Sequence, residues 1–377
     1  MIVSESRLER FFAQWEFSVE HILCASDVDG PAMTDLLALA DDDIRARWDT
    51  LSLGYTETAG DPALRAEIAR RYDAVSADDV VVCAGGAAEA LFLVMNVLLE
   101  PATHAAVVWP AFEPLHNVAR ALGADVTPVP LDATAGWSLD FDALRRAVRP
   151  ETRAIVVNFP HNPTGALLDA QTFAKVADLA REHDIPLVSD EVYRFTEFDP
   201  ASRLPAAADV DDQFVSIGVM SKAYGLAGLR IGWVVTRDRE LRRRILALKD
   251  YTSVCSAAPS EILAIIALRA HERIVAGCNA LVAENLALVD AFFDRWPGLF
   301  DWTRPVAGTV GFPRLRAPVP VERFVTELME REGVLLLPGT FFDDQDNRFR
   351  IGLGKRAMAT GLEKLDHFIE REYAAYA

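Results

Sequence analysis

At 377 residues the chain is too long for one ordinary core, so two domains are expected. Hydrophobic residues make up 51% and charged residues 25%, the balance of a soluble globular protein. A formal net charge of −18 argues against nucleic acid and anionic membrane as partners, because both repel an acidic surface.

The run from Met1 to Arg10 has no basic stretch leading into an apolar one, so it does not read as a signal peptide. No apolar run approaches about 18 residues, which predicts no membrane span and a cytoplasmic protein. Cys24, Cys83, Cys255 and Cys278 lie far apart without C-x-x-C spacing. They read as buried thiols in a reducing compartment, with no zinc site and no disulfide framework. From residue 80 onward, short β-branched runs predict strands at 80–83, 105–109, 154–159, 186–190, 214–219 and 231–236. Helical patterns at 89–99, 142–148 and 170–182 fall between them. Apolar strands alternating with helices predict a mostly parallel sheet covered on both faces. After residue 260 come helices at 260–276 and 281–295, short strands near 334–337 and 348–353, and a last helix at 357–373. The expected division is an N-terminal segment 1–45, a large domain 46–275 and a smaller α+β domain 276–377.

Four unusual features stand at strand ends, where open α/β sheets bind ligands. The first strand runs into Ala84-Gly85-Gly86-Ala87-Ala88 and a helix. That arrangement suits either a phosphate on backbone N–H groups or a plain tight turn. The third runs into Pro160-His161-Asn162-Pro163-Thr164-Gly165, a rigid loop that fixes the Asn162 side chain or forms an Asx turn. The fourth ends in Asp190, a carboxylate that needs a cation if buried; Glu191 and Tyr193 follow it. The fifth leads to Ser221-Lys222, with Arg230 eight residues beyond the lysine. A lysine there either closes the strand with an ion pair or, desolvated, offers its amine for a Schiff base. A phosphate cradle, a fixed amide, a buried carboxylate and a Schiff-base lysine are together what pyridoxal phosphate requires.

The motifs Asn158-Phe159-Pro160-His161-Asn162-Pro163-Thr164-Gly165 and Ser221-Lys222, followed by Gly228-Leu229-Arg230-Ile231-Gly232-Trp233, resemble the fold-type I, aspartate-aminotransferase-like family of pyridoxal-phosphate enzymes. The likeness extends from Gly54-Tyr55 to Arg350-Ile351-Gly352. It implies an α/β fold, with a large domain built on a mostly parallel seven-stranded sheet sandwiched by helices and a smaller α+β domain. It also implies that Lys222 bonds the cofactor and moves the Cα proton, while Asp190 pairs with the pyridinium nitrogen. Asn162 and Tyr193 would bond the ring hydroxyl, and Phe112 would stack on the ring. Gly86, Ala87, Ala88, Ser221 and Arg230 would hold the phosphate, and Arg350, with Asn162 beside it, the substrate carboxylate. Tyr55 would reach the phosphate of a neighbouring subunit, making the protein a homodimer with shared sites. Many relatives carry a serine three residues before the lysine; here Val219 stands there.

The resemblance implies transamination between an L-amino acid and a 2-keto acid. Cyclisation, elimination or oxidation uses the same frame. The segment Ser-Lys-Ala-Tyr-Gly-Leu and the N-terminal Trp15-Glu16-Phe17 look like capreomycidine-synthase-like enzymes, which cyclise a hydroxylated arginine. Glu16 is then either a partner for a guanidino side chain or a solvated helix residue. Some proteins of this fold regulate transcription; the acidic charge argues against that reading.

Overall fold

The structure is a computed structural model that describes residues 3–376; Met1, Ile2 and Ala377, at the ends of the N-terminal run and of the final segment, lie outside it. Its centre is a sheet of β1 (Val80–Cys83), β2 (His104–Trp109), β3 (Asp125–Asp132), β4 (Ser138–Leu139), β5 (Thr152–Asn158), β6 (Leu187–Asp190), β7 (Val215–Val219) and β8 (Gly232–Val235). Their order is β1-β8-β7-β6-β5-β2-β3-β4. The sheet is mostly parallel: β8 runs against β1 and β7, and β4 against β3.

The strands β1, β2 and β5 to β8 are buried because both faces are covered, whereas the edge strands β3 and β4 are largely exposed. In β5, Val156 belongs to the core that also holds Leu91 and Val94 of the helix Ala87–Leu98 and Leu241 of Arg239–Lys249. Its neighbour Val157 turns to the other face and joins Phe173 and Val176 of the helix Ala170–Glu182. The period of two thus splits one apolar run between two cores. Each such buried side chain contributes about 1.5–3 kcal/mol.

The strand β3 has no counterpart in the sequence reading, because Pro128 and Pro130 remove two backbone donors. Alternate residues turn their N–H groups to the same side, so both prolines can face the outer side. There only Leu131 and Asp132 pair, with the two-residue strand β4 that adds to the sheet's edge.

The helices expected at 260–276 and 281–295 are divided differently. Ala258–Arg269 ends at Ala270, and His271–Arg295 then runs unbroken for 25 residues. This helix is long and apolar enough to cross a membrane by composition, contrary to the expectation that no such run exists. Its Ile274, Val282 and Phe292 lie in the protein core, while Arg273 and Glu284 face outward. Cys24, Cys83 and Cys278 are buried, Cys255 is half-buried, and all four are free thiols.

The N-terminal chain is threaded through the C-terminal part. His21–Ile22 pairs in parallel with Val334–Leu335. Beyond it, the Gly352 N–H donates to the Leu23 carbonyl at 2.7 Å. Gly352 lies in the strand Phe349–Gly352, between Val310–Gly311 and Leu337–Pro338. A Cβ on Gly352 would run into the Ala25 carbonyl. Replacing Gly352 by Ala is therefore expected to cost about 1–3 kcal/mol through overpacking. Gly277, exposed in the long helix with nothing within 4 Å of its would-be Cβ, is the control. Gly277→Ala is expected to stabilise by about 0.5–1 kcal/mol. Thermal denaturation of the two variants checks both signs.

Candidate active site

A cavity of about 230 Å³ opens beyond the carboxyl ends of β5, β6 and β7. Asn158, the last residue of β5, sits in register with Asp190, the last of β6. Its carboxamide nitrogen donates to the Asp190 carbonyl at 2.9 Å, and its carboxamide oxygen accepts from the Asn162 N–H at 2.9 Å. One buried side chain thus fixes both the acid and the loop that follows β5. Sequence reading assigned Asn158 no role of its own, although an amide closing an apolar strand is a visible signal.

Asp190 is buried, and burial pushes its carboxyl up to about 7. The Glu191 charge adds to that rise, while the Val192 N–H and the Lys222 charge oppose it. Its Oδ1 accepts from the Val192 N–H at a long 3.3 Å. Lys222 lines the same cavity, with Nζ 5.4 Å from the centre of the Tyr193 ring and donating to Ser26 Oγ at 2.8 Å.

Arg350 stands on the strand Phe349–Gly352 and is 2% exposed. Its Nε donates to the Cys24 carbonyl at 3.0 Å and its Nη1 to Asn162 Oδ1 at 3.2 Å. Among the described residues no carboxylate lies within 4 Å of this guanidinium, and burial pulls its pKa below the ordinary arginine value. A buried, planar fork without an acid partner is built to receive one.

The third corner is made by Ala87, Ala88, Ser221 and Arg230, all on the cavity wall. The helix Ala87–Leu98 starts without a side-chain cap, so its first N–H groups are open to an anion. Gly86 precedes it in the left-handed region at φ 69° and lies behind the wall, against Arg230 and Val219. Arg230 donates from Nη2 to the Gly85 carbonyl at 2.8 Å, which ties the cation to the helix start. The methyl of Val219 fills the place beside Gly86 where a serine hydroxyl was expected from the resemblance.

Phe112 and Tyr193 also line the cavity. Tyr55 is not brought to it: the side chain is 95% exposed, at a surface recess with Arg47 and Glu261. His161, given no role from the sequence, is buried, bonded to Thr164 Oγ1 at 2.8 Å, and pushed down to about 3 by burial.

The structure adds residues from the N-terminal segment. Leu8, Glu9 and Phe12 of the helix Arg7–Trp15 close one side of the cavity. Their signal in the sequence is Ser6-x-x-Glu9 overlapping an apolar pair four apart, Leu8 and Phe12, and the Ser6 hydroxyl does cap the helix through the Glu9 N–H at 3.2 Å. Buried Glu113 anchors the same turn, accepting from the Ser6 hydroxyl and from the N–H groups of Arg7 at 3.2 Å and Leu8 at 3.4 Å. Glu16 lies near Glu9 and Asp27; burial and the Asp27 charge raise its carboxyl pKa. Lys355 is already shared between Asp27 at 3.0 Å and Asp29 at 3.1 Å. Among the described residues no cation lies within 4 Å of Glu9 or Glu16.

These residues fit pyridoxal phosphate. Asp190, short of hydrogen bonds, suits a protonated ring nitrogen; the uncapped helix start with Arg230 suits the phosphate; and Lys222 offers the amine.

Residues 22–365 match the family model described as aminotransferase class I and II. The chain is 32% identical to capreomycidine synthase of Streptomyces vinaceus over 78% of its own length and 74% of that protein's. It is 31% identical to an arginine–pyruvate transaminase of Pseudomonas aeruginosa, over 82% of this chain and 81% of that one. Among solved structures, a PLP-dependent aminotransferase from Streptococcus suis superposes with a TM-score of 0.92 at 28% identity, covering 98% of this chain and 99% of the other. The PLP-dependent cyclase OrfR superposes with a TM-score of 0.89 at 29% identity, covering 98% of each. With the cavity's residues suited to that cofactor, the chain belongs to the class I and II aminotransferase family and is a pyridoxal-phosphate-dependent enzyme.

Proposed function

We propose that the chain is an aminotransferase that moves the amino group of an L-amino acid to a 2-keto acid. The observation that carries this reading is Arg350, a buried guanidinium with no acid partner among the described residues, in one cavity with Lys222 and Asp190. When bound, pyridoxal phosphate supplies a carbonyl that takes up the amine and a ring that draws electrons from Cα. The remaining work falls to the protein. Arg350 holds the α-carboxylate in a two-pronged grip, backed by Asn162. Lys222 Nζ takes the proton from the substrate Cα and would deliver it to the former carbonyl carbon of the cofactor. The Asp190 carboxylate holds the positive ring nitrogen in a dry site, where the interaction is strong. Leu8 and Phe12 exclude water from above. In the same reading the enzyme is a homodimer in which Tyr55, exposed here beside Leu53, reaches the neighbouring site.

A second reading is a cyclase acting on an arginine-derived amino acid. It is supported by the likeness to capreomycidine synthase and by the Glu9 carboxylate on the cavity wall, which suits a guanidino side chain. Under either reading a guanidino amino acid is the favoured substrate.

A spectral titration separates the two. Holoenzyme without keto acid is mixed in turn with L-amino acids, including arginine and its hydroxylated forms. Stoichiometric conversion of the cofactor to pyridoxamine phosphate with one equivalent of keto acid establishes the aminotransferase. Catalytic product without pyridoxamine phosphate establishes the cyclase instead.

Three substitutions test the residue roles. Lys222→Ala is expected to abolish both the absorbance of covalently held cofactor and turnover. Asp190→Asn is expected to lower kcat on the order of 10²–10³-fold. The melting temperature of its apoprotein should be unchanged or higher, since a buried carboxylate is removed. Arg350→Ala is expected to raise KM about 10–100-fold for every amino acid tried, as loss of a charged hydrogen-bond pair does. An effect confined to one amino acid would place Arg350 on the side chain.

A further inference from the structure

We propose that Ser26 is a positioning residue for Lys222: its hydroxyl fixes where the lysine amine stands whenever that amine is not bonded to the cofactor. The inference rests on the reading of Lys222 as the cofactor-bonding lysine. Lysine carries a flexible four-carbon stem, and ordering it costs up to about 2 kcal/mol of rotamer freedom. The hydrogen bond that holds Nζ here goes to Ser26 Oγ, at 2.8 Å, from a residue 196 positions away in the chain. Ser26 lines the cavity with Lys222, so its hydroxyl meets the amine at the cavity wall.

Ser26 is in turn held from two sides. Toward the C-terminal part, its carbonyl accepts from the fully buried Thr309 hydroxyl at 2.7 Å. The Asp29 N–H donates to the Gly354 carbonyl at 2.8 Å, and the Cys24 carbonyl accepts from Arg350. Toward the lysine, Gly30 lies against Gly225. A Cβ on Gly225 would stand 2.6 Å from the Gly30 Cα, and one on Gly30 would overlap the Gly225 carbonyl. Gly225 is itself in the left-handed region at φ 63°, and its N–H closes the Lys222 turn by donating to the Lys222 carbonyl at 3.1 Å. The two glycines therefore set the distance between the Ser26 segment and the Lys222 turn. Within three residues this segment holds the carboxylate-binding arginine through Cys24 and the proton-moving lysine through Ser26. The relative placement of the two groups is built into one stretch of backbone.

The test compares Ser26→Ala and Ser26→Thr with the parent. Apoenzyme of each is mixed with pyridoxal phosphate alone, and covalent attachment is followed by its absorbance change. The holoenzymes are then assayed for kcat and KM with the amino acid that the titration selects. Ser26→Ala is expected to slow attachment and to lower kcat, each about 10-fold, the effect of losing one charge-assisted hydrogen bond. KM is expected to stay within about twofold, and Ser26→Thr, which keeps the hydroxyl, to restore both rates. Attachment and kcat both unchanged in Ser26→Ala would overturn the proposal. So would a raised KM with unchanged kcat, because it places the hydroxyl on the substrate. Attachment needs no amino acid, so a parent that takes up the cofactor but converts no amino acid refutes the proposed function and leaves this measurement intact.

Discussion

Two buried ionisable groups, Asp190 and Arg350, face one cavity without neutralising each other, and the rest of the site is arranged around that fact. An unpaired charge in a protein interior is costly, and folded proteins normally supply a partner. Here the nearest partners are withheld. Asp190 has one long hydrogen bond and Arg350 has a carbonyl and an amide, so each keeps its capacity for an ion from outside. The protein is left to be completed by a cationic ring nitrogen at one end and a carboxylate at the other. Selectivity for an amino acid bound to pyridoxal phosphate follows from that incompleteness.

Holding such groups in place requires a rigid frame, and the frame comes from backbone rather than from the charged residues. Asn158 joins the ends of two neighbouring strands and the loop that carries Asn162, so the acid and the amide move as one piece. The segment from Leu23 to Gly30 is clamped between the strand of Arg350 and the turn of Lys222, with glycines where the backbones meet. Above the cavity, Glu113 anchors the first turn of the N-terminal helix from beside Phe112. Each device joins parts of the chain that are far apart in sequence.

The same frame serves more than one chemistry. Relatives with this architecture include a transaminase and a PLP-dependent cyclase. In this chain Glu9 lines the cavity, and among the described residues no cation lies within 4 Å of it, while Lys355 is engaged by two aspartates.

The sequence by itself determined the features whose physics is local. A strand's period of two, a glycine pair before a helix, prolines bracketing Asn162, and an acid or lysine at the end of an apolar run are all legible without knowing what lies opposite. They located Asp190, Asn162, Lys222 and the alternation of strands and helices. Arg350 came from resemblance, since an arginine in a short strand carries no local sign of what it will hold. Tertiary structure alone decided the rest. The strand β3 was hidden by Pro128 and Pro130, whose lost donors cost little only because they can face a sparsely paired edge. Ser26, Glu113 and the apolar face of the first helix gain meaning from partners about 100 to 200 residues away, a distance over which no periodicity carries information. Tyr55 shows the reverse: the resemblance gave it a role at the phosphate, yet within the single chain its side chain points to solvent, away from the cavity.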